Sequence, residues 1–463
     1  MSASIELRNK RVLVVGLART GLATALFCAA RGARVTATDA RSEKELADSI
    51  APLRKAGVGL EFGGHRQELI RDADLIIPSP GVPADAPLLQ SARAKGVTIW
   101  SEVELASRFL KGRLIGITGS NGKTTTTSLI EHILRSAGFS TILAGNIGTP
   151  LISCVDKASD KSVTVAELSS FQLELIETLR PNISVFLNLT PDHLDRHHTL
   201  ESYGAAKARI FENQTEADSA VLNADDPGTT PYALTKPQVY WFSRRQRVVQ
   251  GAFVKENEIL FRRDGVEEPV LQLTDIPLAG AHNVENVLAA VAATRLAGAE
   301  PAAIAKGVRS FAGVEHRLEF VAEIGGVRFY NDSKATNVDA TLKALDAFPG
   351  RILIILGGKD KGSDYTLLQA PLREKAILAL LIGAAAGKIE KQIAGSVAIE
   401  QAGTIERAVE TAAHAARAGD IVLLAPACAS FDQFQNYEHR GRVFKELVQQ
   451  LERQATSTTS GGR

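Results

Sequence analysis

A glycine-rich stretch with one lysine carries the clearest chemistry in this chain of 463 residues. Residues 119–126 read GSNGKTTT, after a short apolar run and before an amphipathic helix pattern. Such a strand–turn–helix unit points backbone N–H groups at an anion, and the helix N-terminus adds positive potential. Lys123 would reach the terminal phosphates and the Thr124 hydroxyl would bind magnesium. Because Ile117 stands where the strict P-loop pattern has glycine, the stretch predicts a variant phosphate loop; an ordinary turn with a solvated lysine is the alternative.

Two further strand patterns end in polar residues that could serve this loop. Glu167 follows the run 163–166, where an acid can hold magnesium, although it could also simply begin a helix. The run 185–189 precedes TPDHLDRHH, in which His193 is a candidate ligand and the last two histidines could be merely solvated. Lys207, within YGAAKARIF, is by itself consistent with a surface lysine whose stem covers an apolar face.

The N-terminal region has the pattern of a nucleotide-binding βαβ unit. Residues 11–39 read strand, turn, helix and strand, with Gly16, Ala18 and Gly21 at the three fingerprint positions and Asp39 at the end of the second strand. Alanine at the middle position weakens the case for a dinucleotide, so a purely structural turn is also possible. Another strand, 73–77, ends at PSPGVP, a turn placed where open α/β sheets bind ligands.

Buried strands recur toward the C-terminus and indicate a second doubly wound sheet. The apolar run 351–356 ends in GGKDKG, the run 378–383 ends at glycine, and the run 421–426 precedes ACASFDQF. We therefore predict an α/β protein of three domains: a Rossmann-like N-terminal domain, a central P-loop ATPase-like α/β domain and a C-terminal Rossmann-like domain. The predicted boundaries are 1–105, 106–312 and 313–463.

Composition bounds the class of protein. The chain has 45% hydrophobic and 23% charged residues, and its formal net charge of +1 gives no reason to expect nucleic acid or an anionic membrane as a partner. Three dispersed cysteines form no metal or disulfide pattern, which favours a reducing compartment. The N-terminus has no apolar signal core, and no run approaches the length of a membrane span. We expect the polar tail from Ala455 to be disordered.

Motifs along almost the whole chain resemble the Mur ligase family of ATP-dependent amide-forming enzymes. They occur in family order: TGSNGKTTT, AELSSFQLE, LNLTPDHLDRH, YGAAKARI, GAHNVENVLAA, EHRLE, NDSKATNVDAT, LGGKDKG and PACASFDQFQNYEHRG. NDSKATN together with PACASFDQF is similar, more narrowly, to the branch that adds D-glutamate. The DNPxxR-type motif of the diaminopimelate- or lysine-adding relative is not present.

The resemblance implies one task for each domain. The first would hold the UDP part of a UDP-N-acetylmuramoyl-L-alanine substrate, the second ATP, and the third D-glutamate. It implies ATP-binding positions in the second and third domains: Gly119, Asn121, Gly122, Lys123, Thr124, Thr125, Asn283, Asn286, Arg317 and Asp332. It implies substrate-binding positions in all three domains: Gly16, Thr20, Gly21, Asp39, Ser79, Gly81, Asn146, His193, Thr336, Lys361, Ser430 and Tyr437.

The resemblance also implies the chemistry. ATP would phosphorylate the alanyl carboxylate, and the D-glutamate amine would displace phosphate from the acyl phosphate. The implied catalytic residues are Lys123, His193, Lys207 and Arg317. Two Mg²⁺ ions would lie among Thr124, Glu167, His193 and Lys207, with Lys207 carbamylated. Such an enzyme would be cytoplasmic, and we expect a monomer that binds neither nucleic acid nor membrane.

Two other classes of protein explain parts of the pattern. A nicotinamide-dependent oxidoreductase would account for Gly16 to Asp39 but leaves the Lys123 loop without a task. A nucleotide-gated binding or scaffold protein would account for the loop but not for the acid, histidine and lysine residues that follow it. Nicotinamide binding would identify the first class, and substrate-dependent release of ADP separates the second from an enzyme.

Overall fold

The computed structural model describes residues 6–278, 280–360 and 362–460. The chain divides into two compact units, one formed by Met1–Ile276 with Val284–Phe311 and the other by Pro277–Asn283 with Ala312–Arg463. The first unit contains two β-sheets and the second contains one. The predicted α/β class with three sheet-based domains is confirmed.

The first sheet is parallel, with strand order β3-β2-β1-β4-β5. Its central strand is buried because helices cover both faces, which explains the unbroken run of aliphatic residues. The strands are β1 Arg11–Val15, β2 Arg34–Asp39, β3 Gly59–Phe62, β4 Leu75–Pro78 and β5 Thr98–Ile99. The helices are α1 Arg19–Ala30, α2 Glu43–Lys55, α3 Pro87–Ala94 and α4 Glu102–Ser107.

The second sheet has nine strands, in the order β14-β13-β12-β11-β10-β9-β6-β8-β7. It is parallel from β7 to β12 and antiparallel at β13 and β14. The strands are β6 Arg113–Thr118, β7 Thr141–Gly145, β8 Val163–Glu167, β9 Ile183–Phe186, β10 Ser219–Asn223, β11 Gln238–Ser243, β12 Gly251–Lys255, β13 Glu258–Arg263 and β14 Val266–Gln272. The helices are α5 Lys123–Ser136, α6 Ser170–Leu173, α7 Leu194–His197, α8 Leu200–Ala208, α9 Ala281–Ala297 and α10 Pro301–Arg309.

The first two sheets share one apolar core. Trp100, Val103 and Leu105, in and just before α4, belong to the same buried cluster as Val14 of β1 and Phe186 of β9. The carboxylate of Glu104 fixes α4 to the second sheet's domain, since it accepts hydrogen bonds from three consecutive backbone N–H groups at 177–179. The link between the two sheets is therefore packed against both.

The third sheet has the order β15-β16-β20-β17-β18-β19, parallel except for β15. Apolar clusters lie on both of its faces, as expected for doubly wound strands. The strands are β15 Glu319–Ile324, β16 Val327–Asn331, β17 Ile352–Gly357, β18 Ala376–Ile382, β19 Ala398–Gly403 and β20 Ile421–Leu424. The helices are α11 Val338–Asp346, α12 Gln369–Lys375, α13 Ala386–Ile393, α14 Ile405–Ala415 and α15 Tyr437–Ser460.

The prediction of disorder from Ala455 was wrong as far as Ser460, because α15 continues through these residues. From Arg442 to Ser460 the sequence contains no glycine or proline, so this part of the helix meets no residue that would end it. Strand β19 was not anticipated, because its sequence, AIEQAG, lacks a continuous apolar run and it lies at the sheet edge.

Candidate active site

The phosphate loop connects β6 to α5 and depends on two glycines. Gly119 has φ +148° and Gly122 has φ +80°, both in the region that side chains disfavour. A Cβ atom at Gly122 would also overlap the Asn286 side chain of α9. The Asn121 N–H donates to Asn188 Oδ1 (2.8 Å), which holds the loop against the end of β9. The loop is thus fixed from two sides with its backbone at a helix N-terminus, as the phosphate-loop interpretation requires.

Lys123 folds back over this loop. Its Nζ donates to the carbonyl oxygens of Gly119 (2.9 Å) and Ser120 (2.8 Å). The ammonium group therefore lies at the mouth of the phosphate cradle, where it can neutralise an incoming anion. Thr125, in the first turn of α5, is buried.

Glu167 ends β8 and faces the start of α5. Thr124 Oγ1 donates to Glu167 Oε2 (2.7 Å), and Asn146 Nδ2 donates to Glu167 Oε1 (3.0 Å). Hydroxyl and carboxylate oxygens are hard donors that suit magnesium. In the described part of the chain, no group of three or more histidine, cysteine or acidic residues could hold a metal alone. A cation here would need further ligands beyond this pair, and at nucleotide sites magnesium usually takes several of them from phosphate and water.

Lys207 lies inside the same site. It is 1% exposed, and its Nζ donates to Gly119 O (2.7 Å) and sits 4.2 Å from the ring centre of Tyr203. Burial, and then the charge of Lys123, lower its pKa well below the ordinary value. The interpretation of a surface lysine was therefore wrong, because α8 packs this side chain against the loop.

His193 begins α7 with a left-handed backbone, φ +53°. Its ring packs edge-on against Phe171, 4.9 Å between centres, and its side chain stays about half exposed. His197 is buried instead: it lies parallel to Phe171 and within 3.0 Å of Ser170 Oγ. His198 is exposed. Of these histidines, His193 has an accessible ring, whereas the buried ring of His197 has a structural role.

The asparagines of α9 are both buried. Asn286 Oδ1 accepts a hydrogen bond from Thr126 Oγ1 (3.2 Å), which ties α9 to the helix of the phosphate loop. The Asn283 N–H donates to Gly280 O (3.0 Å) in the first turn. Asn286 is therefore placed beside the loop, whereas Asn283 belongs to the second compact unit.

The N-terminal site forms where β1 and β4 end. Ser79 Oγ donates to Gly16 O (2.8 Å), and a side chain at Gly21 would overlap that same carbonyl. Asp39 accepts from the Leu17 N–H (2.7 Å) and from Arg41. Burial would raise the pKa of Asp39, but these hydrogen bonds outweigh it and lower the pKa to about 2. Asp39 is therefore ionised at neutral pH, and it ties the turn before α1 to the end of β2 and to Arg41.

The remaining N-terminal candidates are less constrained. Thr20 lies in the first turn of α1 and accepts a hydrogen bond at its carbonyl from Thr24 Oγ1 (2.8 Å). Gly81 is exposed, and no heavy atom stands within 4 Å of the place its Cβ would take. Neither Thr20 nor Gly81 takes part in the hydrogen bond between Ser79 and Gly16.

In the third domain, Asp332 follows β16 and is almost fully buried. Burial raises its pKa to about 7, although the Arg317 charge and the Leu318 N–H, 3.3 Å from Oδ1, act in the opposite direction. Thr336 lies just beyond, half-buried, with its N–H donating to Lys334 O (2.7 Å). The ATP-binding roles of Arg317 and Asp332 stay predictions.

Ser430 and Tyr437 both follow β20 in the chain, and Tyr437 begins α15. Ser430 is 1% exposed, and its hydroxyl finds no hydrogen-bond partner among the described residues. Lys334 Nζ lies 3.8 Å from the ring centre of Tyr437, so this aromatic faces a cation with its ring. Lys361 lies outside the described residues.

Arg440 is a residue that the sequence reasoning missed. It is completely buried in α15, and it donates to Ser333 Oγ (2.9 Å), Ser333 O (2.8 Å) and Cys428 O (3.2 Å). Burial lowers its pKa to about 10, so it stays charged at neutral pH. It ties together the segments that follow β16 and β20. A single arginine in an amphipathic helix carries no local sign of this contact.

Arg196 was also missed. Its guanidinium donates to Pro80 O in the N-terminal turn (2.9 Å) and to Glu174 Oε2 (2.6 Å), and it stacks 4.1 Å from the ring centre of Phe171. It therefore connects the turn after β4 with the histidine segment of the central domain. The only sequence sign was its place between His193 and His197.

Together the fold and the site define a three-domain α/β protein built to bind a nucleotide phosphate. Sequence models of three Mur ligase domains match it in order: the MurD-like N-terminal domain at 10–101, the middle domain at 117–294 and the glutamate ligase domain at 316–428. Among the described residues, no helix has the length and apolar character needed to cross a membrane.

Whole-length relatives give the same result. The UDP-N-acetylmuramoylalanine--D-glutamate ligase of Acidobacterium capsulatum is 56% identical, with 96% of this chain and 97% of the relative aligned. That of Koribacter versatilis is 54% identical, over 97% of this chain and 99% of the relative. The chain belongs to the Mur ligase family, and neither the oxidoreductase nor the scaffold alternative applies.

Solved structures agree in fold. A pseudomurein peptide ligase from Methanothermus fervidus superposes with a TM-score of 0.58 at 21% identity, covering 96% of this chain and 100% of that one. A UDP-N-acetylmuramate-alanine ligase from Thermotoga maritima gives a TM-score of 0.58 at 20% identity, covering 95% and 99%. At this identity the likeness concerns the fold alone.

Proposed function

We propose that the chain is an ATP-dependent ligase that joins D-glutamate to UDP-N-acetylmuramoyl-L-alanine, in the synthesis of peptidoglycan precursors. The observation that carries the proposal is the convergence of Thr124, Glu167 and the buried Lys207 on one phosphate loop. The names of the whole-length relatives support the choice of acceptor and amino acid.

The chemistry follows from the problem of making an amide in water. A carboxylate is a poor electrophile, so the alanyl carboxylate oxygen attacks the γ-phosphorus of ATP and ADP leaves. The D-glutamate amine then attacks the acyl carbon, loses a proton, and phosphate departs with the carboxylate oxygen. Phosphoryl transfer between anions depends mainly on positioning and charge neutralisation. Lys123 would supply charge at the phosphates, and Arg317 a second cation.

The loop fits a magnesium nucleotide. Gly122 lets the Asn286 side chain pack against the loop, and Thr124 with Glu167 presents hard oxygen donors. Magnesium, when bound, neutralises phosphate charge. We propose two ions, held by Thr124, Glu167, His193 and a modified Lys207. The half-exposed ring of His193 is accessible for this purpose.

The modification is a carbamate on Lys207. The neutral amine would attack the carbon of CO₂, and loss of one proton leaves a carboxylate on the lysine stem. A buried ammonium group beside Lys123 is electrostatically unfavourable, whereas a carbamate would offer oxygen ligands to magnesium. The contact with Gly119 O places the amine at the loop.

The outer domains would hold the two other substrates. In the first domain, Gly16 and Gly21 would approach phosphate, Asp39 would lie near uracil, and Ser79 and Gly81 would line the other edge. Asn146 and His193 would contact the muramoyl-alanine end. In the third domain, Thr336, Lys361, Ser430 and Tyr437 would receive D-glutamate. The unpartnered, buried hydroxyl of Ser430 supports this assignment, because such a group gains most from a ligand acceptor.

The boundaries 1–105, 106–312 and 313–463 are our proposal for the three domains. We also propose that the protein acts in the cytoplasm, where ATP and reduced cysteines are found, and that it is a monomer. All three cysteines are free and buried, which agrees with a reducing compartment.

Phosphate release from ATP tests the proposed function. The protein is incubated with ATP, magnesium and UDP-N-acetylmuramoyl-L-alanine, and a panel of amino acids is added singly. We expect release with D-glutamate to exceed release with L-glutamate, L-alanine or diaminopimelate, because a site that pairs a buried carboxylate discriminates strongly. Preference for another member of the panel would assign the chain to a different branch of the family.

A further inference from the structure

One carboxylate holds together the turn that follows β17. Asp360 Oδ1 accepts hydrogen bonds from the Ser363 N–H (3.1 Å) and the Tyr365 hydroxyl (2.8 Å), and Oδ2 accepts from Lys388 Nζ (2.8 Å). Lys388 also donates to Ser363 O (2.8 Å). The hydrogen bond from Lys388 is the main cause that lowers the pKa of Asp360 to about 2, so the carboxyl is ionised at neutral pH. An ionised carboxylate can only accept, which makes Tyr365 the donor.

The tyrosine extends this contact to a second segment. Its hydroxyl oxygen lies 2.9 Å from Cys428 Sγ, and both residues are buried. Since the Tyr365 proton points to Asp360, its oxygen accepts from the Cys428 thiol. The result is a directed chain of hydrogen bonds from Cys428 through Tyr365 to Asp360. It joins the segment after β20 to the turn after β17.

Backbone pairing keeps the two segments in register. The Lys359 N–H donates to Ala429 O (2.8 Å), and the Ala429 N–H donates to Lys359 O (3.2 Å). Ser430 follows directly, with a buried hydroxyl that has no partner among the described residues. The position of this hydroxyl therefore depends on the two residues before it. Cys428 is held by Tyr365, and Ala429 is held by its backbone pairing with Lys359.

We propose that Tyr365 is a positioning residue for D-glutamate: its hydroxyl, fixed by Asp360, holds Cys428 so that the Ser430 hydroxyl is kept in place for a carboxylate of the amino acid. This inference rests on the proposed function and adds a residue that does not touch the substrate. A hydroxyl placed in advance binds more tightly, because no ordering is needed when the ligand arrives. The Tyr365 hydroxyl thus acts on D-glutamate affinity through two intervening contacts.

Replacing Tyr365 by phenylalanine tests the inference, because it removes only the hydroxyl. We expect the KM for D-glutamate to rise about tenfold, the order expected for losing one hydrogen bond to a charged group. The KM values for ATP and for the UDP substrate, and kcat at saturating D-glutamate, should change less than about twofold. Tyr330→Phe is the matched control, since the Tyr330 hydroxyl makes no hydrogen bond with the described residues.

Variants at Cys428 test the other end of the hydrogen-bond chain that runs through Tyr365 to Asp360. Cys428→Ser keeps a donor and should leave the KM for D-glutamate near its normal value, whereas Cys428→Ala should raise it. In the Tyr365→Phe background, Cys428→Ala should add little, because residues in one hydrogen-bond network are not additive. A melting curve shows whether Tyr365→Phe folds. If it does not, the two Cys428 variants test the positioning role instead.

Two results would overturn the inference. One is an unchanged KM for D-glutamate in folded Tyr365→Phe, and the other is an equal rise in the KM of all three substrates. If the unsubstituted protein does not use D-glutamate at all, the proposed function is overturned and this inference with it. If it uses D-glutamate and only the Tyr365 effect is missing, the proposed function stands and the positioning role alone is wrong.

Discussion

The amine of Lys207 is fully buried, yet it shares the Gly119 carbonyl with the ammonium group of Lys123. Burial, and then repulsion by the nearby Lys123 charge, lower the pKa of Lys207. A lowered pKa increases the fraction of nucleophilic amine at neutral pH. The neutral amine is the form that the proposed carbamate requires.

Lys207→Ala should lower kcat by at least about a hundredfold, in the range seen when one group that stabilises transition-state charge is removed. Added formate or acetate should restore part of the activity, because a small carboxylate can enter the vacated space. Steady-state kinetics with and without the acid measure both effects. Lys255→Ala, on an exposed strand end, is the control and should be unaffected by either change. Full activity of Lys207→Ala without any additive would contradict the proposed carbamate.

Asp332 makes a pH-dependent contribution to stability. Its carboxyl has a pKa of about 7 when folded, above the ordinary value of 3.8. The folded state therefore binds this proton more tightly, and stability is lost as pH rises from about 4 through 7. Asp332→Asn should remove that loss: its melting temperature should match the wild type near pH 4 and exceed it at pH 8. The difference is at most about 4 kcal/mol for a shift of three units.

Melting curves of both proteins across pH 4 to 8 measure this difference. Asp339→Asn, an exposed residue of α11 paired with Lys343, is the control and should show no such divergence. If Asp332→Asn is less stable than the wild type at pH 8, the ionised carboxylate is a net stabilising partner of Arg317 and the reasoning from burial is wrong.

Some of these residues could be recognised from local pattern, and others could not. Lys123, Thr124 and Glu167 follow strand patterns at fixed offsets, so their place at the sheet edge is determined by the fold class. The burial of Lys207 depends instead on how α8 packs against the loop 88 residues earlier. Spacing within one helix carries no information about that distant contact.

At the scale of elements, the polar ends of β6, β8 and β9 are brought to one edge because the strands are parallel and adjacent. This follows from chain order in a doubly wound sheet, and the sequence patterns were sufficient to predict it. The connection between the first and second sheets was not predictable in the same way. It depends on side chains such as Arg196 and Glu104, which reach residues far along the chain.

Arg196→Met should weaken binding of the UDP substrate. The substitution keeps an apolar stem against Phe171 but removes the hydrogen bonds to Pro80 O and Glu174. The turn after β4 would then lose its support from the central domain. We expect the KM for the UDP substrate to rise about tenfold, as for the loss of a charged hydrogen bond, with the KM for ATP nearly unchanged.

Arg180→Met is the matched control for this experiment, because Arg180 pairs with Asp218 and Thr215 within the central domain. It should leave both KM values near normal. Equal increases in the KM for ATP and for the UDP substrate in Arg196→Met would show that the arginine supports the central domain in general rather than the turn.

At the scale of the whole molecule, the residues that we propose to act in the reaction come from both compact units. The phosphate loop and the N-terminal turn belong to the first compact unit, whereas Arg317, Asp332 and Ser430 belong to the second. Fold class and family could be recognised from sequence because each domain contains its own motifs. The role of Arg440 could not be recognised from sequence, because its contacts form only when α15 packs against the segments that follow β16 and β20.

The fate of one oxygen atom tests the central claim most directly. UDP-N-acetylmuramoyl-L-alanine labelled with ¹⁸O in the alanyl carboxylate is incubated with ATP, magnesium, D-glutamate and the protein, and the released phosphate is analysed by mass spectrometry. An acyl phosphate requires that each amide formed sends one carboxylate oxygen into inorganic phosphate, so we predict one ¹⁸O atom per phosphate from doubly labelled substrate, together with ADP and a glutamyl product. Unlabelled phosphate, or label recovered in AMP, would contradict the mechanism.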